Sequence, residues 1–242
     1  MHEHHRERLK ARFLRDGIDG FEPHNVLELL LFYSVPRRDT NPIAHRLIER
    51  FGSISAVLDA DFNELIKVEG VGEHSAALIK LIPQLARRYM TELTFEDGRL
   101  DTVQKIGDYF VSKYIGEVSE TVYMLMLSSS YNVLGCELLH RGSVNSSFIT
   151  MRGMIEHALA YNASMVVLAH NHPGGVAVPS SDDIRTTVMM SEALSVVDVR
   201  LIEHFVVAGD KYTPMLAGSS GRLGQAFESD EEARRFYGEL IK

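Results

Sequence analysis

The spacing of apolar residues changes character partway along the chain, and this change most constrains the possible fold. From residue 6 to residue 90, apolar residues recur at helical spacing in short segments, and none alternates as a strand does. From residue 101 onward, β-rich runs such as residues 121–127 alternate with helical segments. This arrangement predicts an α/β chain in which an all-α domain precedes a mixed α/β domain.

The boundary between the two parts is predicted within residues 91–100, TELTFEDGRL. Polar residues and Gly98 interrupt the helical pattern there. We therefore expect a helical domain over residues 1–93 and an α/β domain over residues 101–242. A chain of 242 residues is long enough for two domains of modest size.

Capping residues indicate where the helices of the first part begin and end. Asn41 followed by Pro42 predicts an N-cap with proline at the first helical position. Gly52 is expected to end that helix, and Ser53 to start the next one.

The second part is predicted to alternate helices and strands around one buried central strand. The expected helices cover residues 101–115, 151–162 and 180–196, and the expected strands cover 121–127, 132–140, 163–170, 200–209 and 211–215. Residues 142–150 predict a weaker strand or a loop, and residues 231–242 a terminal helix.

Composition indicates the compartment. The single cysteine, Cys136, excludes an intramolecular disulfide and a Cys-based zinc site, which is typical of a reducing cytosol. No apolar run approaches the roughly 20 residues that span a bilayer, and the first residues are charged rather than signal-like. We therefore expect a soluble, cytoplasmic protein without a membrane partner.

Charge is distributed unevenly between the two parts. Residues 1–90 contain 13 Lys and Arg against 13 Asp and Glu, whereas residues 91–242 contain 12 against 20. An acidic second part exerts no general attraction on nucleic acid. The first part is neutral but has arginine pairs at 37–38 and 87–88, which could bind phosphate locally. The charge pattern confines any DNA binding to the first part.

Two histidines and an aspartate surround the loop after the predicted strand 163–170. Residues i and i+2 of a strand face the same side, so His170 and His172 project into one pocket. The Gly- and Pro-rich segment 173–179 then leads to a predicted helix that carries Asp183. Two imidazoles and one carboxylate suit a tetrahedral Zn²⁺ with one position open for water, as in catalytic zinc sites.

The same segment has an interpretation that needs no metal. Residues 180–183, SSDD, have the pattern of a capping box at a helix start, and HNHP could be an ordinary polar turn. Capping explains the serine and the aspartate, but it does not explain two histidines on one face. The two interpretations are compatible, because a capped first turn would hold Asp183 in place.

The segment HNHPGGVAVPSSDD at residues 170–183 resembles the JAMM, or MPN-plus, motif, which is His-x-His, seven residues, Ser, two residues, Asp. The motif positions are His170, His172, Ser180 and Asp183. The helical first part contains the turn Gly70-Val71-Gly72. Together with this part, the chain is similar to bacterial RadC proteins over nearly its whole length. Gly174 stands where such proteins usually have serine.

This resemblance implies a JAMM domain of the cytidine-deaminase-like fold that uses Zn²⁺ to hydrolyse an amide bond in a protein or peptide. It also implies a glutamate at the start of an upstream strand, hydrogen-bonded to the zinc-bound water. Glu120, directly before residues 121–127, matches this position. Glu117 lacks the register, and Glu137 and Glu156 fit less well. Without a metal, Glu120 would be an ordinary carboxylate at a strand edge.

The implied mechanism gives each residue a role. Zinc can lower the pKa of bound water from 15.7 to about 7. Glu120 would take the proton and pass it to the leaving amine, and Ser180 would hydrogen-bond the developing oxyanion. His204 is interpreted as a packed residue or as the partner of a ligand, not as a ligand.

The turn Glu69-Gly70-Val71-Gly72 resembles the hairpin of helix-hairpin-helix domains. In such hairpins, backbone amides contact a DNA phosphate without reading sequence, which implies contacts at Gly70, Val71 and Gly72. A tight turn between helices also needs glycine for conformation alone. The sequence leaves both explanations open.

Three functions are therefore hypotheses. The first is a zinc-dependent hydrolase of peptide or isopeptide bonds. The second is a DNA-associated repair or recombination factor, or a metal-dependent nuclease. Nucleases commonly use two metals on oxygen ligands, for which two imidazoles are less suited. The third is a non-catalytic interaction module, which the intact ligand set argues against.

Overall fold

The computed structural model describes residues 2–95, 98–142 and 151–216. The chain divides into two compact units, Met1–Ala86 and Arg87–Lys242. The predicted domain ranges, 1–93 and 101–242, stay predictions.

The first unit is helical, as predicted. Its core contains apolar side chains from several of the helices, and Leu31, Leu47 and Ile79 are fully buried within it. The helices are α1 (His2–Asp16), α2 (Pro23–Leu31), α3 (Asn41–Phe51), α4 (Ile54–Asp59), α5 (Phe62–Leu65) and α6 (Glu73–Leu93), the last of which continues into the second unit.

One of the three capping predictions in this unit is wrong by one residue. The N-cap of α3 is Thr40, and Asn41 lies inside the helix. The Asn41 side chain is not used as a cap because its Nδ2 donates to the buried carboxylate of Glu28 (3.2 Å). Gly52 ends α3 with φ 90°, and Ser53 Oγ accepts a backbone N–H in the first turn of α4 (3.1 Å), both as predicted.

The second unit is built on one five-stranded sheet in the order β2-β1-β3-β4-β5. β3 and β4 are parallel, and the other neighbouring pairs are antiparallel. Its elements, besides the end of α6, are α7 (Val103–Lys113), β1 (Thr121–Leu127), β2 (Val133–Arg141), α8 (Met151–Ala160), β3 (Met165–Asn171), α9 (Ser181–Ser195), β4 (Arg200–Ala208) and β5 (Lys211–Pro214).

Helices cover both faces of this sheet. One face packs against α8 and α9, and the other packs against α7. Every residue of β1 and of β3 is buried, as expected for central strands that are covered on both sides. The central strands are therefore held rigidly, and side chains at their ends start from fixed positions.

The predicted order of elements is confirmed for the described part of the chain: an all-helical region precedes a mixed α/β unit. The predictions for residues 143–150 and 231–242 lie outside the described residues. No helix among the described residues is long and apolar enough to cross a membrane.

Candidate metal centre

The predicted ligands meet where β3 ends at the edge of the sheet. Val122 of β1 lies opposite His170 of β3, so the start of β1 lies beside the end of β3. The loop over residues 172–180 then turns the chain into α9, whose first turn carries Asp183. One strand end and one helix start thus supply the three residues.

The three side chains converge on one small space. The Nε2 atoms of His170 and His172 are 3.1 Å apart. Asp183 Oδ1 lies 3.3 Å from His170 Nε2, and Asp183 Oδ2 lies 3.7 Å from His172 Nε2. The side chain of His170 is 3% exposed and that of His172 is 24% exposed, so solvent reaches the group from the His172 side. Together the three residues could hold a metal ion.

A capping box holds Asp183, as the sequence indicated. Ser180 Oγ accepts the Asp183 N–H (3.1 Å), and Asp183 Oδ2 accepts both the Ser180 N–H (2.7 Å) and the Ser180 hydroxyl (2.6 Å). Burial raises the pKa of the Asp183 carboxyl, but His170 and these hydrogen bonds outweigh it and hold that pKa well below its usual value. Asp183 therefore stays anionic, and its Oδ1 faces His170.

The loop fixes the tautomer of a neutral His172. Its Nδ1 lies 3.0 Å from the carbonyl oxygen of Val176. A carbonyl only accepts hydrogen bonds, so Nδ1 carries the proton and Nε2 carries a lone pair. That lone pair points toward His170 and the anionic Asp183. Imidazole nitrogen and carboxylate oxygen directed at one point are a donor set that fits Zn²⁺.

Glu120 lies at the same edge of the sheet, directly before β1. Continuing the register two residues past the Val122–His170 pair would bring Glu120 opposite His172. The Glu120 carbonyl accepts the N–H of Gly142 (2.8 Å), which ties this residue to the end of β2. Among the described residues, the group that could hold a metal ion does not include Glu120. Its catalytic role stays a prediction.

The three other glutamates considered from the sequence are paired with side chains elsewhere. Glu117 forms an ion pair with Arg141 (3.0 Å) and another with an arginine of α6. Glu137 accepts the hydroxyl of Tyr161. Glu156 pairs with an arginine one turn earlier on α8 (2.7 Å). These contacts give each of the three carboxylates a local structural role.

Asn171 holds the backbone on both sides of Glu120, a role that the sequence did not indicate. Its Oδ1 accepts the N–H of Thr121 (2.7 Å), and its Nδ2 donates to the carbonyl of Ser119 (3.0 Å). These two residues flank Glu120, so one buried amide clamps the segment on both sides. Asn171 alternates with His170 along β3 and points away from the ligands, so local spacing contained no signal for its partners.

Replacing Asn171 with alanine should lower the free energy of unfolding by about 1–3 kcal/mol. The change leaves the buried N–H of Thr121 without its acceptor and removes one of two hydrogen bonds to the Ser119 carbonyl, which keeps the bond from the Thr121 hydroxyl. Urea denaturation measures the effect. Asn132→Ala is the control, because the Asn132 side chain is exposed in the same unit and its loss should cost no more than about 0.5 kcal/mol. Equal losses for the two variants would contradict the clamp.

His204 and Thr187 lie behind His170 in the interior. His204 Nε2 is 2.9 Å from His170 Nδ1, and His204 Nδ1 is 2.6 Å from Thr187 Oγ1. Complete burial, with His170 beside it, lowers the pKa of His204 well below its usual value. The sequence interpretation of His204 as a packed partner of a ligand fits this position. No sequence signal pointed to Thr187.

The predicted hairpin has the geometry of a tight turn before α6. Gly70 adopts φ 92°, and a Cβ there would lie 2.8 Å from Ile43 Cγ1. Val71 is buried in the core of the first unit, so its side chain faces inward. A Cβ on Gly72 would meet nothing within 4 Å. The structure thus explains glycine at position 70 but not at position 72.

Three cations line a groove beside this hairpin, and all are paired with carboxylates. Arg46 lies 4.0 Å from the Glu69 carboxylate. Arg50 contacts Glu64 at 2.7 Å, and Lys67 contacts the same carboxylate. Paired cations offer less attraction to phosphate than unpaired ones. The DNA contact predicted for the hairpin stays a prediction.

Gly70→Ala should lower the free energy of unfolding by about 1–3 kcal/mol, because alanine is strained at positive φ and would press against Ile43. Gly72→Ala should change it by no more than about 0.5 kcal/mol, since open space surrounds that position. Thermal or urea unfolding of the two variants checks this difference. A larger loss for Gly72→Ala than for Gly70→Ala would contradict the open space around position 72 and the crowding at position 70.

Comparison with known proteins agrees with the fold. The family described as "RadC-like JAB domain" matches residues 100–220, a range that contains His170, His172 and Asp183. The second unit is therefore a JAB domain, a class with a metallohydrolase-like fold.

Similarity extends beyond this domain. A UPF0758 protein of Fusobacterium nucleatum subsp. nucleatum is 33% identical over 222 residues, which cover 88% of this chain and 94% of that protein. A UPF0758 protein of Pseudomonas savastanoi pv. phaseolicola is 31% identical over 204 residues, covering 84% and 91%. One of Ectopseudomonas mendocina is 33% identical over 201 residues, covering 83% and 90%. The chain belongs to the RadC family, as its motifs indicated.

Proposed function

We propose that this protein is a zinc-dependent hydrolase of the JAMM type that cleaves an amide bond in a peptide or an isopeptide. The observation that carries the proposal is the convergence of His170, His172 and Asp183 within one partly open pocket. The JAB match over residues 100–220 supports the same class of chemistry.

His170 Nε2, His172 Nε2 and Asp183 Oδ1 would hold the ion. Three protein ligands on a tetrahedral metal leave one position open, which is the arrangement of catalytic sites. A bound Zn²⁺ supplies Lewis acidity and lowers the pKa of water toward about 7. The exposed side of His172 supports access for a substrate to this position.

Glu120 is proposed as the general base. Its carboxylate would take a proton from the attacking water and donate that proton to the nitrogen of the leaving amine. The clamp by Asn171 supports this role, because a base must stay within hydrogen-bond reach of the water. An amine leaving group needs a proton, so a shuttling carboxylate suits amide cleavage.

Ser180 is proposed to stabilise negative charge on the substrate oxygen. Its hydroxyl donates to Asp183 Oδ2 (2.6 Å) in this structure. The proposed role requires the hydroxyl to rotate toward the substrate. The capping box would survive this rotation, because the Ser180 N–H would still donate to Asp183 Oδ2 (2.7 Å).

Phosphodiester cleavage is the alternative for this site. Two-metal nucleases bind hard ions mainly through oxygen ligands, whereas two of the three ligands here are imidazoles. The donor set therefore favours one zinc ion and amide chemistry.

The proposal is tested by incubating the zinc-loaded full chain with a peptide library, with lysine-linked isopeptide conjugates, and with single- and double-stranded DNA. We expect cleavage of an amide substrate that is abolished by a chelator and restored by zinc. Cleavage of DNA without cleavage of any amide would support the nuclease alternative and overturn the proposal.

A further inference from the structure

A chain of buried hydrogen bonds runs from His170 back to the helix that carries Asp183. His170 Nδ1 lies 2.9 Å from His204 Nε2, and His204 Nδ1 lies 2.6 Å from Thr187 Oγ1. Thr187 Oγ1 lies 2.6 Å from the carbonyl oxygen of Asp183. His170, His204 and Thr187 are 3%, 4% and 0% exposed. Water therefore does not compete for these bonds.

The direction of each bond follows from the far end of the chain. A carbonyl oxygen only accepts, so the Thr187 hydroxyl must donate its single proton to the carbonyl of Asp183. Thr187 Oγ1 must then accept a proton from His204 Nδ1. A neutral His204 that carries its one proton on Nδ1 has a bare Nε2, and this nitrogen accepts from His170 Nδ1 at 2.9 Å.

This direction determines which nitrogen of His170 can bind a metal. With Nδ1 donating to His204, Nε2 is the nitrogen of His170 that faces His172 and Asp183, and it is the one that a metal ion would bind. If this chain of hydrogen bonds were broken, His170 could place its proton on either nitrogen, and its ring could rotate. One of the two tautomers would point N–H at the metal position, and its proton would have to move to Nδ1 before a metal ion could bind, which weakens binding.

We propose that Thr187 and His204 are positioning residues that fix the tautomer and the ring orientation of His170 for metal binding. This inference rests on the proposed zinc site. The chain starts at a ligand on β3, crosses β4, and ends at the backbone of the ligand residue on α9. It therefore also couples the strand and the helix that supply the ligands.

The first test measures the zinc dissociation constant of the full chain by competition with a chromophoric chelator. Thr187→Val keeps the shape of the side chain but removes the hydroxyl, and His204→Phe removes both ring nitrogens. We expect each to weaken zinc binding by about 10- to 100-fold, the usual effect of losing a hydrogen-bond partner of a ligating histidine. Thr187→Ser keeps the hydroxyl and should bind zinc like the wild type.

Leu194→Ala separates positioning from general destabilisation. Leu194 is fully buried on α9, the helix that carries Thr187, but it takes no part in the chain of hydrogen bonds. It should lower thermal stability and leave the zinc dissociation constant unchanged. Wild-type zinc affinity in a folded Thr187→Val protein would overturn the inference while leaving the proposed function intact. Equal loss of affinity in Leu194→Ala would also overturn it.

The second test does not depend on zinc binding. Nitrogen-15 NMR of the zinc-free protein should show a slowly exchanging Nδ1–H of His170, hydrogen-bonded to His204, in the wild type, and this signal should be lost in Thr187→Val. The same protected Nδ1–H in both proteins would overturn the inference. Failure of the wild type to bind zinc would refute the proposed function. The spectrum would still decide whether the chain of hydrogen bonds holds the proton on Nδ1 of His170.

Discussion

Replacing His172 with alanine should reduce bound zinc from about one ion per chain to nearly none. The change removes one of the three ligands proposed among the described residues, and the two that remain would hold zinc far more weakly. The fold should survive, because His172 lies in a loop and its side chain is 24% exposed. Metal analysis of the purified protein by inductively coupled plasma mass spectrometry measures the loss, and circular dichroism checks the fold.

His74→Ala is the matched control for this prediction. His74 is exposed in the first turn of α6, within the first unit. Its loss should leave the zinc content at about one ion per chain. Zinc retained by His172→Ala, or absent from the wild type, would show that the His-His-Asp group is not the metal site. Added zinc should also raise the melting temperature of the wild type and leave that of His172→Ala unchanged.

Glu120→Gln should retain zinc and lose turnover by about 10²- to 10⁴-fold, the range associated with loss of a general base. Glutamine has nearly the shape of glutamate but cannot accept the proton of the attacking water. The substrate is whichever amide is cleaved in the screen, and the rate is compared at equal zinc content. Because Glu120 lies outside the ligand group, its loss should leave the zinc dissociation constant unchanged.

Glu156→Gln provides the control for this variant. Glu156 is an exposed carboxylate on α8 that pairs with an arginine of the same helix. Its turnover should equal that of the wild type. Loss of zinc from Glu120→Gln would mean that Glu120 is a metal ligand and not the general base. Full turnover in that variant would exclude Glu120 from the proton transfer.

Local patterns in the sequence predicted most of the elements and the ligand cluster. Period-two alternation places His170 and His172 on one face, and the pattern Ser180 to Asp183 predicts a capped helix start. Both signals span only a few residues, and strand and helix geometry convert such short spacings directly into positions. The Asn41 prediction failed because a buried carboxylate on another helix takes up its side chain.

The prediction for Glu120 needed both the sequence and the tertiary structure. The resemblance to RadC proteins identified it, but only the antiparallel register between β1 and β3 brings it to the end of β3 that carries the histidines. No periodicity within one strand reveals which strand will lie beside it, because pairing depends on how the faces of all the elements pack together.

The sequence by itself therefore determined which residue types meet at the candidate metal centre, because short fixed spacings within one strand and one helix start convert directly into positions. The tertiary structure decided how those residues are held. The Asn171 clamp joins residues 50 positions apart, and the His170–His204 contact joins residues 34 positions apart. Such contacts arise only when strand pairing and helix packing bring distant segments together and exclude water. Burial then restricts each side chain to the few hydrogen bonds its neighbours can complete.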